Sequence, residues 1–276
     1  MIGDKDASPP PGADILKEGF SSAVARGWTR WTGPPSGRVS ADARFRIFFF
    51  PHAGGTSSDY RIWAAHFPPD VDVCPLLYPA RGNRWNEAAL TAMPELVAHL
   101  TRDLLPLLDV PFAFFGHSMG ALVAYEFARH LRDRGATLPR HLFVSAARAP
   151  HVPDVGPPMS ALPDAAFLEQ MKSLNGFPRE LRDNHEFLQL VLPTLRADMA
   201  LCDGYSYDAG DPLPCPITVF GGRDDRRVTR AQLTSWAVHT AGRFRIRFYP
   251  GDHFFLAGAR PQVIRAMLAD LALGRP

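Results

Sequence analysis

The sequence predicts an α/β fold, a mostly parallel β-sheet flanked by helices, interrupted by one helical insertion. Three observations lead there. Short apolar runs recur at 45–50, 71–78, 112–115, 141–145, 217–220 and 244–249, most of them near-continuously apolar, the pattern of strands covered on both faces. Amphipathic segments with helical spacing separate them. From about 150 to 205 the alternation stops and only helical patterns remain. Alternating strands and helices imply parallel strands joined by crossovers.

Each element can be justified in chain order. Residues 1–41 are rich in Pro, Gly and Ser (Pro9-Pro10-Pro11, Gly33-Pro34-Pro35-Ser36-Gly37). Such a stretch buries little apolar surface, so a mobile tail is expected, with Trp28 and Trp31 pinning it to the body. Residues 42–276 read as one domain, since α/β chains of this length commonly form a single core. Helices are expected over 96–108, around Leu122, Val123, Phe127 and Leu131, and at the end around Val263, Met267, Leu268 and Leu271. In the insertion, Phe167, Met171 and Leu174 fall at i, i+4, i+7, and a second apolar helix covers 187–195. A helical insert between two core strands is where a lid sits.

Composition narrows the function classes. The 276 residues are 46% hydrophobic, and 30 Lys+Arg against 28 Asp+Glu leave a formal net charge of +2. That balance lacks the bulk basic signature of nucleic-acid binding. The three cysteines, Cys74, Cys202 and Cys215, form no CxxC pair, which favours a reducing cytoplasm over a disulfide framework. The first residues, MIGDKDASPPPGAD, place acids and prolines where a signal peptide needs an apolar core. No apolar run approaches the roughly 18 residues of a membrane span. A soluble cytoplasmic protein without membrane contact is expected.

The strongest chemical signal is Gly116-His117-Ser118-Met119-Gly120. It follows the apolar run 112–115 and opens the helix starting Ala121-Leu122-Val123, the strand–turn–helix context that G-x-S-x-G requires. Such a turn lifts the Ser118 hydroxyl out of the sheet. Residues two before and two after it pass close to other backbone, so only glycine fits there. The free N–H groups at the following helix start favour an oxyanion.

A hydroxyl needs a base to become a nucleophile. In this architecture the chain order is Ser, acid, His. The run 217–220 leads into Gly221-Gly222-Arg223-Asp224-Asp225, and 244–249 leads into Pro250-Gly251-Asp252-His253-Phe254-Phe255. Both loops follow strand C-termini, the edge on which Ser118 must lie. His253 is the candidate base. Asp224 and Asp225 both qualify as the acid that orients it; Asp225, three residues after Gly222, is preferred. Asp252 adjoins His253 too closely to face its ring. One oxyanion donor is expected from the Met119 N–H. The other is expected from Ala53 in Pro51-His52-Ala53-Gly54-Gly55, the loop after the first strand. His52 precedes Ser118 in the chain and reads as a shaper of that loop.

Taken together, Pro51-His52-Ala53-Gly54-Gly55, Tyr78-Pro79-Ala80-Arg81, Gly116-His117-Ser118-Met119-Gly120, Leu195-Arg196-Ala197-Asp198 and Gly251-Asp252-His253-Phe254-Phe255-Leu256 resemble the type II thioesterases. Those α/β-hydrolase enzymes accompany polyketide synthases and nonribosomal peptide synthetases. The elbow is shared by many esterases, whereas the other motifs in combination are far more specific. The resemblance runs from about Trp28 to the last helix. It implies a stand-alone, largely monomeric editing enzyme that hydrolyses acyl groups from the phosphopantetheine thiol of acyl or peptidyl carrier proteins, needing no metal or other cofactor. Ser118, Asp225 and His253 match its triad, Ala53 and Met119 its oxyanion donors, and the helical insert its lid. There Phe167, Met171, Phe177 and Leu192 are candidates to line the acyl chamber. The chain departs from the family at Ala80, where glycine is usual, and at Phe177, where a small or polar residue is common and a phenyl ring would narrow the chamber. The tail also lies outside the usual pattern.

Carrier proteins tend to be acidic, so a cationic docking face is expected. Arg223, Arg226 and Arg227, with Arg230 nearby, cluster after the acid loop, and Arg179 and Arg182 lie in the insert. Three other activities fit the same residues in part. A small-molecule carboxylesterase would prefer oxygen esters. An acyltransferase or cyclase would replace water with an alcohol or amine. A non-catalytic scaffold would only bind carrier proteins.

Overall fold

The computed structural model describes residues 43–154, 157–177 and 181–273; the expected tail, with Trp28 and Trp31, lies outside them, as does Arg179. Six strands form one sheet: β1 Phe45–Phe50, β2 Val71–Pro75, β3 Phe112–His117, β4 Leu142–Ser145, β5 Ile217–Gly222 and β6 Phe244–Tyr249. Their spatial order is β2-β1-β3-β4-β5-β6, and every pairing is parallel. All six expected strands are present; the second ends at Pro75 instead of continuing to Tyr78.

The helices are α1 Ser58–Arg61, α2 Met93–Leu104, α3 Met119–Asp133, α4 Asp164–Ser173, α5 His185–Asp203, α6 Arg230–Thr234 and α7 Leu256–Asp270. The pleat sends alternate side chains of each strand to opposite faces. Phe48, Phe50, Phe112 and Phe114 therefore pack with Leu96, Leu100, Val123 and Phe127 of α2 and α3 on one side. Ile47, Phe49, Ala113 and Phe115 pack with Val263, Ile264 and Met267 of α7 on the other. Burial on both faces is why the central strands read as unbroken apolar runs.

Between β4 and β5 the chain forms α4 and α5. These helices have a small core of their own, in which Phe167, Met171, Leu192, Leu195 and Met199 meet. Asn184 caps α5, its side chain accepting from the Phe187 N–H at 2.9 Å. Because β1 connects outward to β2 while β3 returns on its other side, the loops after β1 and β3 diverge. That divergence opens a crevice at the C-terminal edge of the sheet.

Candidate active site

The crevice collects the expected residues from four strand ends. Ser118 joins β3 to α3 with φ 53° and ψ −120°, a strained conformation for a residue with a side chain. The close approaches expected around it are present. A Cβ on Gly116 would lie 2.3 Å from the Gly120 carbonyl oxygen, and one on Gly120 would lie 2.0 Å from that of Phe50. Nothing but glycine fits either position.

Ser118 Oγ lies 3.0 Å from His253 Nε2, and His253 Nδ1 lies 2.9 Å from Asp225 Oδ2. His253 is buried and the Asp225 carboxylate is wholly shielded from solvent. The second Asp225 oxygen accepts from the backbone N–H groups of Arg227 and Val228 at 2.8 and 3.1 Å. Burial alone pushes the Asp225 carboxyl up. The hydrogen bond and charge of His253, aided by those backbone donors, outweigh it and hold the group below its ordinary value.

Asp224 points elsewhere. Its N–H donates to the Gly251 carbonyl at 3.0 Å and its carboxylate accepts from the Gly251 N–H at 3.4 Å. It joins the two loops rather than touching the imidazole. Asp252 likewise turns away, accepting from the Phe254 N–H and from Asn175 of the insert, each at 2.8 Å.

The backbone N–H groups of Ala53 and Met119 donate to no protein acceptor among the described residues. Met119 begins α3, so its N–H is one of the orphans of a helix start. The His52 ring packs edge-on against Phe254 and His117 at centroid distances of 4.9 and 5.7 Å. Burial lowers its pKa, only partly offset by the nearby Asp59 carboxylate. His117 is pushed well below the ordinary value by burial and by the charges of His253 and His52. It is anchored with Nδ1 2.9 Å from Ser145 Oγ.

Two sets of residues lie apart from their expected places. Phe167, Met171, Phe177 and Leu192 pack in or against the insert's own core, where the apolar faces of the two insert helices bury each other. The insert side of the cavity at Ser118 is formed by Met199, which also belongs to that core, with Cys202 and Tyr205. Arg227, expected on an outer docking face, lines that same cavity; the Asp225 carboxylate captures its N–H and turns this stretch inward. Arg223, Arg226 and Arg182 are exposed, and Arg230 stacks over the Phe248 ring at 4.6 Å.

Some residues gained a place only from the structure. Arg81 donates to both oxygens of Asp198, and the Gly54 N–H donates to the same carboxylate at 2.7 Å. A signal was available: a lone carboxylate in the apolar stretch Leu195-Arg196-Ala197-Asp198-Met199-Ala200-Leu201 demands a buried partner.

The thioesterase domain model matches residues 45–271. The chain belongs to the thioesterase family. Among curated relatives, this thioesterase is 43% identical over 246 residues to linear gramicidin dehydrogenase LgrE of Brevibacillus parabrevis, covering 88% of this chain and 93% of that one. Among solved structures, it matches RedJ, a thioesterase of the prodiginine pathway of Streptomyces coelicolor, with a TM-score of 0.80 and 36% identity over 88% of this chain and 95% of that one. It matches BorB, a type II thioesterase from the borrelidin cluster, with a TM-score of 0.76 and 32% identity over 89% and 98%. The thioesterase thus groups with type II enzymes of nonribosomal peptide and polyketide pathways. The dehydrogenase name of LgrE finds no dinucleotide turn here, since β1 runs into Pro51-His52-Ala53-Gly54-Gly55 and not Gly-x-Gly-x-x-Gly. None of the described helices is long and apolar enough to cross a membrane.

Proposed function

We propose that the protein is a stand-alone editing thioesterase acting on acyl groups held by the phosphopantetheine thiol of carrier proteins. The Ser118–His253–Asp225 relay carries this reading, through its contacts of 3.0 and 2.9 Å. His253 takes the Ser118 proton as Oγ attacks the thioester carbonyl. The N–H groups of Met119 and Ala53 receive the tetrahedral oxyanion; removing one such donor typically costs on the order of 100-fold or more. The thiolate leaves with the proton from His253, and the acyl group stays on Ser118 as an ester. Water then loses a proton to His253, attacks that ester, and releases the free acid and the serine. Asp225 holds the imidazole in the tautomer that accepts at Nε2 and stabilises the imidazolium between steps.

The experiment compares an acyl-pantetheine thioester with the matched oxygen ester, following thiol and acid release together with intact mass. Thioester turnover, a transient acyl adduct and loss of both in Ser118→Ala are expected. Preference for the oxygen ester would move the protein to the general esterases. Neither turnover nor adduct, even on an acylated carrier protein, would leave a binding scaffold.

A further inference from the structure

Beside Ser118 lies a small cleft of about 70 Å³, bordered by an outer hollow of about 700 Å³ that shares its walls at Arg148, Asp154, Tyr205 and Arg227. An enzyme for plain aliphatic acyl groups needs no cation there. This cleft presents two guanidinium groups and one carboxylate. Arg148 is matched: it pairs with Asp154 at 3.2 Å and donates to the Val152 carbonyl at 3.0 Å.

Arg227 is not matched. Among the described residues its guanidinium makes one hydrogen bond, to the Met159 sulfur at 3.2 Å, and a thioether is a weak acceptor for a group with five N–H donors. The neighbouring carboxylates bond other groups, and neither makes a hydrogen bond to the Arg227 guanidinium among the described residues. Asp225 gives its oxygens to His253 and to two backbone N–H groups, and Asp203, in the outer hollow, caps the Ser160 N–H at 2.7 Å.

In the free enzyme, water can satisfy the remaining Arg227 donors. A wholly apolar acyl chain would strip that water and return nothing, leaving donors unpaired at a cost. A cationic acyl group would add repulsion. A carboxylate on the acyl chain would accept two parallel N–H bonds from the planar guanidinium.

We infer that the acyl chamber selects acyl groups bearing a carboxylate beyond the thioester carbonyl, and that Arg227 is the specificity-determining residue that receives it. The inference rests on the reading of Ser118 as the nucleophile of a thioesterase.

Glutaryl-pantetheine and hexanoyl-pantetheine have chains of equal reach, one ending in a carboxylate and one in a methyl. The quantity to measure is the ratio of their kcat/KM values on one enzyme preparation, which cancels any inactive fraction. The wild type should favour glutaryl by about tenfold or more, since a site built to pair a polar substrate group discriminates against its absence. Arg227→Gln should cut that ratio by about the same factor and Arg227→Lys by less, as charge without the fork retains part of the attraction. Hexanoyl turnover with no glutaryl preference, or a preference unchanged in Arg227→Gln, would overturn this inference alone. No thiol release from either thioester would remove both it and the reading on which it rests.

Discussion

Arg81 and Asp198, 117 residues apart in the chain, meet through two hydrogen bonds of 2.8 and 2.6 Å with their side chains only 6% and 4% exposed. The pair joins three pieces of backbone. Arg81 lies in the loop after β2, Asp198 lies on α5 of the insert, and the Gly54 N–H completes the carboxylate from the loop after β1. Arg81 also donates to the Gly55 carbonyl at 3.4 Å. The geometry of the loop carrying Ala53 therefore depends on a helix of the insert.

Removing one partner of a buried pair strands the other charge. Asp198→Ala should lower the unfolding free energy by about 3–5 kcal/mol, read by urea denaturation. In material that still folds, kcat should fall more than KM rises, because the misplaced donor acts on the oxyanion. A loss under about 1 kcal/mol would mean that Arg81 finds water or another partner.

The two aspartates of the acid loop should separate cleanly. Asp225→Asn keeps the shape but presents the wrong tautomer of His253, and should cost about 10⁴-fold in kcat. Asp224→Asn, which loosens only the contact to Gly251, should cost less than about tenfold. Equal losses in steady-state assays would show that the loop, not the carboxylate, is what matters.

Two buried histidines set an acid limit on stability. Burial lowers His141, whose Nε2 lies 2.9 Å from Thr218 Oγ1, to about 4. Burial, with the charges of His151 and Arg129, lowers His239 to about 4 as well; it sits between the Tyr125 hydroxyl at 2.8 Å and His151 at 2.7 Å. Both folded values lie below the ordinary 6.5, so the unfolded chain binds more protons in that window. Their stabilisation is complete above pH 6.5 and is lost as pH falls toward 4. Calorimetry should find Tm falling through this range, with a shallower fall in His141→Gln. A Tm that is level or rising there would contradict the neutral, buried state of both rings.

Ala80 occupies φ 63°, held by its N–H to the Arg84 carbonyl at 3.1 Å and by Thr194 Oγ1 donating to its carbonyl at 2.9 Å. Left-handed backbone costs a Cβ-bearing residue roughly 1–2 kcal/mol, more than glycine loses through a freer unfolded chain. Ala80→Gly should raise Tm by about 1–4 °C. A lower Tm would mean that the alanine methyl packs better than the strain costs.

Carrier docking predicts a different kind of response. Arg223 and Arg226 are exposed next to the acid loop. Reversing both to Glu should raise KM for an acylated carrier protein by about tenfold at low salt while leaving KM for a small pantetheine thioester unchanged. Equal effects on both substrates, or on neither, would remove this face as the docking surface.

What the sequence determined by itself was local or periodic. Burial on two faces leaves near-unbroken apolar runs in most strands, and the half-buried β6 keeps Phe244, Ile246 and Phe248 at alternate positions, so all six strands were legible. The elbow was legible because Gly116 and Gly120 are required by steric contact within a single turn. The order of Ser118, the acid loop and His253 followed from placing each at a strand end. What only the tertiary structure decided depended on groups far apart in the chain. Asp225 and Asp224 are equivalent by composition and differ only in whether the loop turns the carboxylate toward His253 or Gly251. Phe167, Met171, Phe177 and Leu192 have the periodicity of a buried face, but periodicity does not say what buries it; the insert uses them for its own core and presents Met199, Cys202 and Tyr205 to the cleft. Arg81 and Asp198 each have another charge close by in the sequence, Arg84 and Arg196, and nothing local pairs them with each other. Their partnership exists only once β1, β2 and α5 converge, because burying either charge is tolerable only when the fold delivers the other.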